Sequence, residues 1–457
     1  MTIMYTSMNH PLRVPLAAEV HSRPFLRLTQ SESLTHLAVY TRADTNALSD
    51  QTIAQHQTLL SLCTYFGVAA PGIDAHYFFH DFGRFRLKWE CHTEFSTYTF
   101  AQNHDANADI ATAFEQVPLS HIPQEWLRSL QGKVMVAAHV ILDAGTAQAE
   151  PLLSEMRALF GDGMLVGSKT LQGGEVWTDF AIQSDGFSRF VVRDVNFHEQ
   201  QAGRLIQRVL EVETYKMMAL LGLPHAQQSA PKLNEIEGEL ATLTAAMVDA
   251  DNAGAGAGIA MEKSLQNGDD EQALLQQIIG LAARIEKLSL DNSYRFSASQ
   301  AYFRLVHARI NELRENRIEG VPTIGEFMER RLAPAMNTCE SISRRAEALA
   351  ERIAHSNDLL RTRVGIVQEQ QNRKILQSLN TRAAQQLRLQ QSVEGLSVVA
   401  ISYYMASLFG YISKGLKAMG VPVNPDIVIG VLLPVIAVGV WLGLRRMHKS
   451  MGISHSK

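Results

Sequence analysis

A chain of 457 residues with 46% hydrophobic and 19% charged residues has globular composition; that excludes a wholly disordered protein and leaves room for two or three domains. A formal net charge of −4, with no long basic run before the C-terminus, argues against an electrostatic binder of nucleic acid. Cys63, Cys91 and Cys339 are the three cysteines; without CxxC spacing they build no disulfide framework and fit a reducing compartment.

Residues 1–30 read as an irregular lead broken by Pro11, Pro15 and Pro24. No basic stretch followed by an apolar run opens the chain, so no secretory signal is expected. A strand at Leu34–Thr41 precedes a helix at Thr45–Phe66, capped by Asp44 and stopped at Gly67. Partial alternation from Tyr77 to Phe100 predicts two or three antiparallel strands. More strands are expected at Lys133–Leu142, Met164–Thr170, Glu175–Gln183 and Ser188–Val192, with a Gly173–Gly174 hairpin and a helix at Glu150–Phe160. After about His198 the patterns are helical: Glu199–Leu221, Pro231–Val248, Glu271–Leu290, Ser293–Glu315, then one very long helix from Pro322 or Pro334. Asp251–Ala260 (DNAGAGAGIA) reads as a flexible loop between two of them.

The long helix carries Ile342, Ala346, Leu349, Ile353, Leu360, Val364, Val367, Ile375 and Leu379, a coiled-coil-like seam. No proline falls between Pro334 and Pro422, so Ala335 to Tyr411 could form one helix of roughly 115 Å. Earlier helices, sister subunits or both must cover such a seam. The end of the chain reads as two membrane spans. Val393–Ile412 is diluted by Glu394, Ser397, Ser402, Tyr404 and Tyr411, whereas Ile427–Leu444 carries no charge and is the clearer span. Arg373, Lys374, Arg382 and Arg388 precede the pair, and Arg445, Arg446, His448 and Lys449 follow it. This bias places both termini in the cytoplasm.

The expected fold is α+β: a mixed α/β cytoplasmic domain over 1–197, a helical stalk over 198–392, a transmembrane hairpin over 393–444 (393–412 and 427–444), and a basic tail over 445–457. The segments HPLRVPLAAEVHSRPF (His10–Phe25), KWECHTEFSTYTF (Lys88–Phe100) and LQQSVEGLSVVAISYY (Leu389–Tyr404) resemble a bacterial family of predicted membrane-anchored proteins, domain of unknown function 3422. The resemblance implies no activity. In architecture the chain is also similar to CorA-type magnesium channels, whose first span lines a pentameric pore and ends in a Gly-Met-Asn selectivity motif. Gly410-Tyr411-Ile412 stands in that place here, so magnesium selectivity is not implied.

Three groups of residues carry candidate chemistry. Glu90, His92 and Glu94 alternate along an expected strand and would share one face, with Trp89, Cys91, Thr93 and Phe95 on the other. Imidazole between carboxylates can ligate a divalent metal or move protons; a salt-bridged sheet face is the plainer expectation. His10, Glu19, His21 and Arg23 form a polar cluster, with Arg23 placed to bridge Glu90 or Glu94. In the first span, Ser402-xxx-Ala406-xxx-Gly410 permits close helix packing, and Ser397, Tyr404 and Tyr411 lie on a neighbouring stripe that could line a pore. Glu394 is expected at the cytoplasmic edge. No P-loop, dinucleotide fingerprint, HExxH or GxSxG occurs, and no cofactor is identified. The expectation is a non-enzymatic, membrane-anchored homo-oligomer whose cytoplasmic domain scaffolds or senses, with a CorA-like channel as the alternative.

Overall fold

The computed structural model describes residues 9–14, 16–17, 24–28, 31–41, 48–105, 109–144, 153–161, 163–170, 173–197, 200–256, 261–420 and 424–452. The first elements are β1 (Glu32–Tyr40), α1 (Leu48–Tyr65), β2 (Tyr77–Asp81), β3 (Arg86–Cys91), β4 (Phe95–Asn103), α2 (Ile110–Glu115), α3 (Gln124–Arg128) and β5 (Lys133–Asp143). They are followed by α4 (Leu153–Phe160), β6 (Val166–Thr170), β7 (Gly174–Ile182), β8 (Ser188–Asp194), α5 (Gln201–Leu220), α6 (Gly222–Gly256) and α7 (Met261–Leu313). The remainder is β9 (Glu315–Arg317), α8 (Ile324–Arg331), α9 (Ala333–Ala418) and α10 (Pro425–Gly452). The fold is α+β with an N-terminal mixed sheet and a long C-terminal helix, as the patterns predict.

The nine strands form one sheet in the order β2-β3-β4-β1-β5-β8-β7-β6-β9. Every pairing is antiparallel except β5 with β8. β1 lies inside the sheet, Leu34 facing Ala101 on one side and Val140 on the other. It is buried along nearly its whole length, so each of its polar side chains needs a partner within the protein. On one face, Leu37, Leu87, Trp89 and Phe100 pack under Leu59 and Leu62 of α1 and Trp126 of α3. The Trp126 indole N–H donates to the Thr58 carbonyl at 2.9 Å. A separate cluster sets Ile141, Trp177 and Val191 against Met156 and Phe160 of α4 and Ile318 and Val321 beside β9. Across the opposite face lies α5, with Met218 packed on Ala38, Phe95 and Val136.

The chain divides into two compact units, residues 1–257 with 277–356, and residues 258–276 with 357–457. The helical region begins with α5, which packs on the sheet.

Within the first unit three helices bury residues at intervals of three and four: Leu233, Ile236 and Leu240 of α6, Ile278, Leu281 and Ile285 of α7, and Ile342, Ala346 and Leu349 of α9. Arg284 bridges Glu235 and Glu239, Arg345 bridges Glu237, and Asn292 donates to Ser229 at 3.0 Å. In this stretch the apolar seam of α9 is therefore covered by helices of the same chain. Two expected breaks are absent. α6 continues through Pro231, where Ser229 and Leu233 are buried in the bundle; the packing offsets a cost of about 3 kcal/mol for an interior proline. α7 continues past Ser293 because Asn292 donates back to the Leu288 carbonyl at 2.7 Å rather than capping a new helix. The expected loop at 251–260 is helical to Gly256, and residues 257–260 fall outside the described ones, as does the expected cap Asp44.

The second unit contains the C-terminal parts of α9 and α10. Arg363 pairs with Glu271 at 3.3 Å. Farther along α9 the expected seam loses its cover, with Val364 and Val367 half-buried and Ile375 and Leu379 exposed. The helical run Ile324–Ala418 contains an 18-residue window long and apolar enough to cross a membrane, whereas the apolar run of α10, Ile429–Gly443, is shorter. The ranking of the two expected spans is thus reversed among the described residues. Ser397 of the first bonds inside the helix, to the Val393 carbonyl at 3.0 Å, as does Ser413 just past it, to that of Phe409 at 2.8 Å, while the buried Ser402 hydroxyl has no partner among the described residues.

Removing a covered seam residue should cost far more than removing an uncovered one. Leu349→Ala is expected to destabilise the full-length protein by about 2–5 kcal/mol in urea unfolding, and Ile375→Ala by no more than about 0.5 kcal/mol.

Candidate functional site

The sheet face beneath α5 is polar where an apolar core would be expected. Period-two alternation on three adjacent strands points His36 of β1, Lys88 and Glu90 of β3, and Thr97 and Thr99 of β4 to this face. Thr99 is opposite both His36 and Lys88, and Thr97 is opposite Glu90. From α5, Gly203, Gln207, Leu210 and Thr214 recur at helical spacing and look back at the sheet. A cavity of about 240 Å³ lies between them, closed by Leu26 and Leu28 of the lead and by Arg309 of α7. Gly203 is required where the lead crosses α5: a Cβ there would lie 1.9 Å from the Leu26 carbonyl oxygen.

The buried polar groups form two sets of contacts. His36 contacts the Thr99 hydroxyl through Nδ1 at 2.8 Å and the Thr214 hydroxyl through Nε2 at 3.1 Å. Burial, aided by the charge of Lys88, lowers its pKa to about 3, so the ring is neutral. The Lys88 ammonium lies 3.1 Å from Glu90 and donates to Gln207 at 3.2 Å. Gln207 donates to Glu211 at 2.8 Å, and Glu211 accepts from Arg309. Arg309 also reaches Glu312 at 2.6 Å, and Glu312 accepts from Arg208 at 2.9 Å. Burial and the neighbouring Glu90 carboxylate push Tyr77 up to about 12. At the end of the β3–β4 hairpin, one Arg295 nitrogen donates to both oxygens of Glu94, at 2.8 and 2.7 Å. Burial, reinforced by Glu94, raises the pKa of Tyr302.

The structure alters the expected roles of several residues. Glu90, His92 and Glu94 do not alternate along one strand, because β3 ends at Cys91 and the chain turns before β4 begins at Phe95. His92 N–H donates to the Phe95 carbonyl at 2.9 Å in that turn. Glu90 and His92 line the cavity, while Glu94 is taken up by Arg295. Among the described residues, no three His, Cys, Asp or Glu side chains gather as metal ligands. The apolar set is split as well: Trp89 and Cys91 lie in the core under α1, and Phe95 packs on the α5 face.

In the lead, His10 is exposed and accepts from the Leu12 amide at 3.2 Å. Glu19, His21 and Arg23 lie outside the described residues, and the carboxylates expected to receive Arg23 are paired with Lys88 and Arg295.

In the second unit Ser402, Ala406 and Gly410 are buried, and a Cβ on Gly410 would meet Ile429 of α10 at 2.9 Å. Tyr404 and Tyr411 stand exposed. The Glu394 side chain is outside the described residues.

His36, Lys88, Thr99, Gln207, Glu211 and Thr214 were not singled out by the sequence reading. A signal existed: polar residues at every second position of two strands that are otherwise strongly apolar, facing a helix with Gln207, Glu211 and Thr214 on one stripe.

Two outcomes follow. His36, and His139 at about 4, are held neutral by burial, whereas in the unfolded chain both titrate near 6.5. The unfolded state therefore binds more protons below that pH, and stability should fall as pH drops from about 6.5 towards 4, at up to about 1.4 kcal/mol per pH unit for each ring. His36→Gln should remove about half of that slope in urea midpoints measured at successive pH values. Glu94→Gln should destabilise the protein by about 3–5 kcal/mol by leaving Arg295 buried without its carboxylate. A loss under 1 kcal/mol in the same measurement would show that the pair is not a structural tie.

No curated protein matches the sequence, and the architectural similarity to CorA-type channels gains no support from that comparison. The family model described as a protein of unknown function, DUF3422, matches residues 8–451, and the chain belongs to that family.

Proposed function

We propose that this is a membrane-anchored sensor: the first unit binds a small molecule in the cavity beneath α5, and α9 and α10 hold the chain in the bacterial inner membrane as a two-span hairpin with both termini in the cytoplasm. The observation that carries the reading is the cavity itself, a half-open space whose walls mix apolar side chains with a few convergent polar groups, the usual makeup of a small-molecule site. Binding rather than turnover is the assigned role, since the polar groups named here stabilise one another and His36 is engaged by a hydroxyl at each ring nitrogen. The anchor is supported by exposure: only 17% of the apolar window in α9 is buried, the opposite of a soluble core helix. The close approach of Gly410 to Ile429 supports pairing of the two helices by small residues within lipid.

An oligomeric channel is the second reading. It draws on Tyr404 and Tyr411, which are exposed while Ser402, Ala406 and Gly410 are buried; these tyrosines would line a pathway between subunits.

Membrane extraction and labelling test the anchor. The chain should stay with membranes through alkaline carbonate washing, and Lys417→Cys should react with an impermeant maleimide added to spheroplasts while Lys449→Cys reacts only after lysis. Release by carbonate, or labelling of both cysteines from outside, would rule out the assigned topology. For the sensor, a small-molecule library should yield compounds that raise the melting temperature of the full-length protein, with the effect abolished by Leu210→Trp, which fills the cavity. Voltage-clamped bilayers containing the protein should show no conductance; current sensitive to Tyr404→Ala would favour the channel instead.

A further inference from the structure

The donors left over in the cavity identify a class of ligand, on the premise that the cavity is a binding site. Lys88 is 4% exposed, and its ammonium has two partners, Glu90 and Gln207. An ammonium carries three N–H donors, so one has no acceptor among the described residues. The histidine leaves a second. A neutral imidazole has one N–H and one bare nitrogen, so of the two hydroxyls on His36 only one can donate to the ring; the other accepts from it and keeps its own hydrogen unspent. This holds for either tautomer. Thr99 and Thr214 have no other hydroxyl partner among the described residues, and both line the cavity. One ammonium N–H and one hydroxyl are thus available to a bound acceptor.

The charged side chains of the cavity balance, Lys88 and Arg309 against Glu90 and Glu211, so the spare ammonium N–H is the strongest donor left to a ligand there. A neighbouring depression lined by Phe25, Arg204, Arg208 and Glu312 shares Gln207, Glu211 and Arg309 with the cavity. The rest of the wall is apolar: Leu26, Leu28, Leu34, Ile206, Leu210 and Phe95. From the spare ammonium N–H, the spare hydroxyl and these apolar walls, we infer that the cavity binds a small monocarboxylate with an apolar body, its carboxylate on Lys88 and a threonine hydroxyl.

Titration calorimetry on the full-length protein in nanodiscs tests this with hexanoate, hexanamide and hexylamine, which share a tail and differ in head group. Hexanoate should bind with one-to-one stoichiometry, and the amide and amine at least about tenfold more weakly, since hydrogen bonds to charged groups are the stronger kind. Thr214→Val, and the double variant Lys88→Met/Glu90→Gln, which removes both charges and so leaves no orphaned carboxylate, should each weaken hexanoate about tenfold or more. Unchanged melting curves for Thr214→Val would establish that its loss of affinity is not unfolding. Equal or tighter binding of the amide or amine, no binding of hexanoate, or affinity indifferent to both variants would overturn the assignment. If hexanoate fails while another compound binds and is lost in Leu210→Trp, the carboxylate assignment falls and the sensor reading stands. If no compound behaves in that way, both fall.

Discussion

The first unit depends on how a polar sheet face is buried. A helix laid over apolar strands needs only shape; α5 laid over His36, Lys88, Glu90 and Thr99 must also satisfy hydrogen bonds, or each orphaned group would cost about 1–3 kcal/mol. The solution is two sets of contacts, His36 held between the Thr99 and Thr214 hydroxyls, and Lys88 tied through Gln207 to Glu211 and Arg309. Such networks specify one arrangement, because shifting β3 by a residue would turn Leu87 and Trp89 to this face and strand the charges in the apolar core. The cavity is the remainder of that solution, the space in which helix and sheet are held apart by side chains already bonded to each other.

Much of the architecture was legible because its periodicities are local. β1, β5 and the strands from Val166 to Asp194 read directly from apolar alternation and turn residues, and the seam of α9 from spacings of three and four. What escaped depends on distant partners. Continuity of α7 across Ser293 rests on Asn292 reaching Ser229 of another helix. The three-residue β9 is an edge strand fixed by pairing with β6, and three residues carry no pattern of their own. For the candidate site, Glu90 and His92 were legible as chemistry-bearing residues but their neighbours were not. Glu94 looked like their partner by spacing, yet a turn at His92 separates it, and Arg295, 201 residues away in sequence, claims it instead.

The second unit obeys a different constraint. α9 keeps burying small residues, Ser402, Ala406 and Gly410, while its large ones, such as Leu396, Val399 and Leu408, face outward. That inversion of the soluble pattern suits helices surrounded by hydrocarbon, where tight contact rather than apolar burial brings them together. Ser397 and Ser413 bond to their own backbone, while the buried Ser402 hydroxyl has no partner among the described residues.

The long-range ties of the first unit also order events during synthesis. Glu94 waits for Arg295, Glu211 for Arg309, and the bundle seam for the helix up to residue 356. The apolar stretch beginning near residue 393 is made after all of them, a few seconds later at about 5–20 residues per second. The cavity-bearing unit therefore has all of its parts before the most apolar segment exists, and this fixed order lets its polar interior assemble while the apolar helices are still unmade.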